Sequence, residues 1–109
     1  MSNPDRLTAL LAMAEDDPND AFVLYGIAQE YATRDNHEDA ETWYRRAIEA
    51  DPDHAYAYYH LTRSLMAMKR ASDAIETAKA GLAAAGRSGD AQATGELQDL
   101  LDEMLEPGS

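Results

Sequence analysis

The dipeptide Asp17-Pro18 returns as Asp51-Pro52, and that 34-residue interval constrains the fold more than any other feature of the chain. Laid on itself at this offset, the sequence pairs Ala21 with Ala55, Leu24 with Tyr58, Tyr25 with Tyr59 and Ile27 with Leu61. The register continues with Tyr31 on Leu65, Asp39-Ala40 on Asp73-Ala74 and Ala47 on Gly81. Identity is sparse, but size and polarity agree at the apolar places. A period of 34 is the length of a helix–turn–helix unit.

The periodicity inside each unit is helical. At about 100° per residue, Leu24, Ile27, Ala28 and Tyr31 share one face of a helix, and Tyr58, Leu61, Thr62 and Leu65 do the same. Small residues at Ala28, Ala40, Ala47, Ala74 and Gly81 let neighbouring helices approach closely. Asn19 and Asp53, each just after a proline, are of the types that cap helix N-termini. Asp35-Asn36 makes a turn, and Asp51-Pro52 stops the helix before it, because proline disfavours a helical residue ahead of itself. Gly86 is expected to end the fourth repeat helix in a left-handed cap. Glu41 stands four residues before Arg45, a helix-supporting ion pair.

The flanks read as helices too. Residues 5–16 carry Leu7, Leu10, Leu11 and Ala14 on one face, in the place of the second helix of a preceding repeat. Residues 90–105 set Ala93, Leu97, Leu100, Leu101 and Met104 on one stripe, with Glu96, Asp99, Asp102, Glu103 and Glu106 opposite. An apolar inside and a solvated outside suit the end of a solenoid. Gly95 costs that helix about 1 kcal/mol against alanine and is expected at a close contact or a bend. The expectation is an all-α chain of six helices without strands, one domain over residues 1–109. Its parts are a cap at 5–16, repeats at 21–54 and 55–88, and a cap at 90–105.

These residues resemble the tetratricopeptide repeat family. That pattern sets a large residue, Leu-Gly or Leu-Ala and then Tyr on a first helix, followed by Ala and an aromatic four residues on, and a closing proline. The first unit reads Leu24-x2-Ile27-Ala28-x2-Tyr31, then Ala40-x3-Tyr44, Ala47 and Pro52, a close match. The second reads Tyr58-x2-Leu61-Thr62-x2-Leu65, then Ala74-x3-Ala78, Gly81 and Gly86, and departs at Thr62, Ala78 and Gly86. The resemblance covers about residues 21–88. It implies antiparallel helix pairs wound into a right-handed superhelix, with a concave groove that binds extended peptides.

The run HAYAYYHL, His54 to Leu61, places three tyrosines and two histidines in eight residues. Tyr58 belongs to the buried stripe. Tyr56, Tyr59, Arg63 and Met66 form a second stripe about 130° away, matched 34 residues earlier by Phe22, Tyr25, Gln29 and Ala32. In the family this face lines the groove, so Phe22, Tyr25, Gln29, Tyr56, Tyr59, Arg63 and Met66 are the candidate peptide-binding residues. Tyr and Arg are enriched at binding hot spots. The family's carboxylate clamp uses lysines and asparagines; here only Arg63 could serve an anion. A protein or peptide ligand with apolar anchors and basic residues is the expected partner. Self-association through the same face, or an acidic terminal helix folded over the rings, are the alternatives. Tyr44 matches the family's packing aromatic, whereas Trp43 either tucks under the N-terminal helix or stands exposed on the convex side.

Composition narrows the chemistry. A net charge of -12 repels phosphate backbones and anionic lipid, so neither nucleic acid nor membrane is an expected partner. Such a surface suits either a high-salt cytoplasm, where screening removes self-repulsion, or an acidic module drawing basic partners. With no cysteine there is no disulfide, thiolate site or thiol nucleophile. His54 and His60 are six apart, about 120° on a helix, and cannot chelate one ion as an i, i+4 pair would. His37 is an expected exposed helix-start residue. No HExxH, phosphate loop or nucleophile elbow occurs, so no enzyme, metal or cofactor is expected. The N-terminus lacks the basic start and apolar run of a secretory signal, and no run approaches the roughly 20 apolar residues of a membrane helix; a cytoplasmic location is expected.

Overall fold

The computed structural model describes residues 5–106 and contains six helices and, among the described residues, no strand. They are α1 (Arg6–Asp16), α2 (Ala21–Thr33), α3 (His37–Ala50), α4 (Ala55–Ala67), α5 (Ala71–Ser88) and α6 (Ala91–Leu105). Each helix packs against the next in the chain, and α4 also touches α2 and α6 side by side. The result is an elongated stack of 48 × 29 × 21 Å in antiparallel helix pairs. The first helices of the pairs, α2 and α4, continue into α6 along one side, and α1, α3 and α5 occupy the other.

Two kinds of joint alternate as far as α4, each repeating at 34 residues, and the second kind recurs out of turn after α5. After α1 and α3 the backbone extends at Asp17 (φ -139°, ψ 89°) and Asp51 (φ -143°, ψ 91°). The Asp17 carboxylate accepts from the Asn19 N–H at 3.2 Å, and that of Asp51 from the Asp53 N–H at 3.1 Å. The aspartate therefore folds the turn while the proline stops the helix. Asn19 and Asp53 are used up inside these turns and do not cap. The caps lie one residue on: Asp20 accepts from the N–H of Phe22 and Val23, and His54 Nδ1 from Ala57 N–H at 3.2 Å. The joints after α2, α4 and α5 instead pass through a left-handed residue, Asp35 (φ 59°), Lys69 (φ 61°) or Gly89 (φ 67°). The following N–H reaches back five residues, Asn36 to Tyr31, Arg70 to Leu65 and Asp90 to Ala85, each at 2.9 Å. This closure satisfies carbonyls that a helix end would otherwise orphan. Gly86 is thus an exposed residue inside α5, and the left-handed cap is Gly89.

In the two repeats the core follows the expected stripes except at Tyr31 and Tyr58, which are only half-buried. Leu24, Ile27, Ala28, Leu61, Thr62 and Leu65 are buried, as are Ala40, Ala47, Ala74 and Tyr44. Burying a side chain such as Leu or Ile contributes about 1.5–3 kcal/mol, while each small residue sets how near two helices come. Gly81 is the tightest case: a Cβ there would lie 2.7 Å from Tyr58 Cβ and 3.0 Å from a Leu97 methyl. Gly95, by contrast, has nothing within 4 Å of where its Cβ would stand, so it marks no close contact. Trp43 is half-buried against the cluster that contains Leu7, Ala14 and Leu24, and the Arg46 guanidinium lies 4.2 Å above its ring. The Glu41–Arg45 pair forms at 2.9 Å, and Arg70 ties Glu41 to Asp73 at 2.6 and 2.8 Å.

Helix α6 takes the position of a third first helix. Ala93, Leu97 and Leu101 are buried as Ala57, Leu61 and Leu65 are in α4. These pairs are 36 residues apart rather than 34, because α5 is four residues longer than α3 while the connection after it is two residues shorter. Glu96 thereby stands where His60 does, facing inward, and not on the solvated outer face with Asp99 and Asp102.

Candidate functional site

The leftover rings of α2 and α4 meet around His60. Its imidazole lies 4.9 Å from Tyr59, 5.8 Å from Tyr25, 6.3 Å from Tyr44 and 6.4 Å from Tyr56, centroid to centroid. His60 is four residues after Tyr56, so the helical spacing that groups Tyr56, Tyr59 and Arg63 includes it too. His54 forms a second node, 4.7 Å from Tyr25 and 5.8 Å from Phe22. Both histidines belong to the site although neither was expected there.

Polar groups in the trough are mostly engaged within the protein. Tyr44 reaches through from α3 and donates its hydroxyl to Gln29 Oε1, while Gln29 Nε2 donates to the Tyr25 hydroxyl at 3.3 Å. Gln29 is therefore held by two rings rather than free to meet a ligand. Tyr56 donates to Glu96 on α6, and Tyr56 and Tyr59 both pack against the cluster that includes Ala93, Leu97 and Leu101, so the terminal helix engages part of the ring surface, as one alternative foresaw, while Tyr25 and Tyr59 stay half-buried. Arg63 is exposed and, among the described residues, has no ion pair. Phe22 is 79% exposed at the mouth of the trough. Met66 departs from the group: it is half-buried and lines a depression with Met104, Lys69 and Glu103 between α4 and α6. Beyond Tyr44 the trough continues as a 460 Å³ cavity lined by Gln29, His60, Arg63, His37 and Ser64. His37 Nδ1 lies 3.0 Å from the Ser64 hydroxyl, half-buried rather than exposed.

The electrostatics keep the His60 ring uncharged. Burial, reinforced by the Arg63 charge, lowers the His60 pKa to about 4. His54 Nδ1 accepts a backbone N–H, so its proton resides on Nε2, which is buried without a hydrogen-bond partner. Aromatic faces are weak acceptors for such a donor. Burial raises Tyr25 and Tyr44, and the hydrogen bond to Glu96 raises Tyr56 to about 12. No described residues gather into a metal-binding group, and no helix of the described residues is long and apolar enough to cross a membrane.

Paired helices at a 34-residue interval, with a ring-lined trough along their first members, define a helical-repeat scaffold built for protein–protein interaction. The tetratricopeptide repeat family model matches residues 31–96, and the chain belongs to that family. Among solved structures, it resembles a tetratricopeptide repeat domain protein from Salinibacter ruber at 35% identity, covering 81% of this chain and 89% of that one, with a TM-score of 0.73. A protein from Bordetella parapertussis is 25% identical over 94% of this chain and 89% of its own, with a TM-score of 0.80. The TPR2B domain of yeast Sti1, solved as a complex with pHsp70, shares the fold at 23% identity and a TM-score of 0.85, over 90% of this chain and 78% of its own. Among curated proteins, none matches significantly.

Proposed function

We propose that this chain is an interaction module that holds a segment of a partner protein in the trough between α2 and α4. The observation that carries the reading is the convergence of Tyr25, Tyr56 and Tyr59 on His60, with Phe22 exposed at the mouth. Rings supply large contact area at low entropic cost. Because Gln29 is locked, Tyr25, Tyr59 and Arg63 carry the recognition. Phe22 and Tyr56 border it, and Met66 contributes only where a ligand extends toward α6. The partner segment brings apolar or aromatic anchors, and basic residues that meet the acidic surface of this chain, whose net charge is -12. The complex with pHsp70 formed by the yeast fold neighbour is in keeping with a protein or peptide partner. On this reading residues 21–54 and 55–88 are the two repeats, α1 is the N-terminal cap and α6 the C-terminal one, all parts of a single unit.

A peptide array probed with the wild type and with the Tyr25→Ala, Tyr59→Ala double variant tests it. Loss of most bound peptides, with helix content unchanged by circular dichroism, is the expected outcome. An unaltered set of peptides refutes the trough as the binding surface.

A further inference from the structure

The convex side carries a second opening. Helices α3 and α5 do not pack directly on each other, and between them lies a cavity of 420 Å³ floored by Tyr58 and Leu61 and walled by Ile48, Thr77 and Ala80. The repeat shows what is missing from it. Thirty-four residues before Thr77 and Ala80 stand Trp43 and Arg46. In the first unit the indole of Trp43 packs into the cluster of Leu7, Ala14, Leu24 and Ile27, with the guanidinium of Arg46 stacked 4.2 Å above it. In the second unit Thr77 donates its hydroxyl to the Asp73 carbonyl at 2.7 Å, and Ala80 ends at its Cβ. The space that one unit fills from within is left open in the other.

Its polar groups define what can enter. The Tyr58 hydroxyl donates to the Pro52 carbonyl at 2.9 Å, Arg45 is held by Glu41 at 2.9 Å and Asp73 by Arg70 at 2.8 Å. Glu49 and Glu76 line the rim, exposed and, among the described residues, without an ion pair or side-chain hydrogen bond. The free polar groups are thus acceptors bearing negative charge above an apolar floor. We propose that this convex cavity is a docking site for a partner segment presenting an aromatic side chain next to an arginine, the pair that Trp43 and Arg46 supply internally one repeat earlier. Stacking of the guanidinium on the ring leaves its N–H groups free for Glu49 and Glu76. The site lies on the opposite side from the trough and does not depend on it.

The test is titration of the isotopically labelled protein with N-acetyl-tryptophanyl-arginine amide, read by amide chemical shifts. Shifts are expected at Ile48, Glu49, Tyr58, Glu76, Thr77 and Ala80. The counter-probe N-acetyl-tryptophanyl-glutamate amide is expected to bind about tenfold more weakly, since two partly exposed charge pairs become repulsive. Thr77→Trp with Ala80→Arg, which transplants the first unit's own filling, is expected to abolish the response. Should that variant not fold, Glu49→Gln with Glu76→Gln, both on exposed positions, is expected to weaken the arginine probe about threefold. The proposal is overturned if these residues do not shift up to the solubility limit, or if both probes bind alike. It is equally overturned if the same residues shift with protein concentration alone, because a second copy is then the occupant. Shifts confined to Tyr25 and His60 would overturn the convex site while leaving the trough reading intact.

Discussion

Alanine at three glycines of one short stretch, Gly81, Gly86 and Gly89, is expected to change stability with three different outcomes. Glycine inside a helix is about 1 kcal/mol less favourable than alanine, so Gly81→Ala and Gly86→Ala begin with a comparable gain, whereas Gly89, the cap beyond α5, gains only from restricting the unfolded chain. At Gly86 nothing lies within 4 Å of the new methyl, and the gain of about 0.5–1 kcal/mol should appear whole. At Gly81 the new Cβ meets Tyr58 Cβ at 2.7 Å and two Leu97 methyls at 3.0 and 3.1 Å. The Leu97 methyls belong to a side chain that can rotate. Tyr58 Cβ cannot move without α4, so α4 and α5 must part and the Leu61 layer with them. Overpacking of this kind costs about 1–3 kcal/mol, which offsets the helical gain and leaves a net loss of about 1 kcal/mol. At Gly89, where φ is 67°, alanine enters the left-handed region at a cost of about 1–2 kcal/mol, although its surroundings are empty.

Thermal melts of the three variants by circular dichroism decide the matter. A difference of 1 kcal/mol moves Tm by about 4 °C or somewhat more in a domain of this size. Gly86→Ala should therefore melt a few degrees above the wild type, and Gly81→Ala and Gly89→Ala a few degrees below. If Gly81→Ala matched Gly86→Ala, the close approach of α4 and α5 would be refuted, and with it the geometry that sets the trough's curvature. If Gly89→Ala matched Gly86→Ala, the left-handed closure after α5 would be wrong.

Two further outcomes follow from the trough. The folded pKa of His60 is lowered from 6.5 to about 4, so as pH falls below 6.5 the unfolded chain binds a proton the folded chain refuses; stability is lost between about 6.5 and 4. Tm should fall more steeply in the wild type than in His60→Gln between pH 6.5 and 5, above the range where Asp5 and Glu41 lose their ion pairs, and equal slopes would refute the burial of His60. Tyr44→Phe removes the hydroxyl that holds Gln29 and should cost about 1 kcal/mol in urea unfolding, with Gln29→Met on the same background recovering part of it.

The sequence carried the helices because their stripes depend only on local periodicity, and α1 and α6 were legible for the same reason. It misled at the punctuation. Asn19 and Asp53 have capping side chains, yet the Asp-Pro turn takes up their N–H groups and moves each cap one residue on, to Asp20 and His54. Gly86 and Gly89 are three residues apart, and only the closure from Asp90 to Ala85 selects between them. Asp35-Asn36 announced its turn, but Lys69 adopts left-handed backbone with an ordinary side chain, so no residue type marked the joint after α4.

The site was half legible for a related reason. Tyr25, Tyr56 and Tyr59 came from the offset and the helical angle, two quantities that survive without coordinates. His60 met the same angular criterion, but the histidine pair registered only as one that cannot chelate an ion; the signal was the position, not the residue type. Glu96 was out of reach, because α6 has no Asp-Pro to fix its register and the longer α5 with its shorter connection shifts it by two residues against the repeat. That shift has a consequence for binding. Placing Glu96 where the repeat would otherwise carry on the His60 position puts a carboxylate, bonded to Tyr56, at one side of a neutral ring cluster whose other side holds the unpaired Arg63. The ring cluster thus borders one acidic and one basic group. An arriving segment with a basic end toward α6 and an acidic or carbonyl-rich end toward Arg63 meets favourable charge at both, whereas the reversed segment meets repulsion at both. If the trough binds as proposed, Glu96 and Arg63 set the direction of the segment, and a peptide of reversed sequence is expected to bind more weakly.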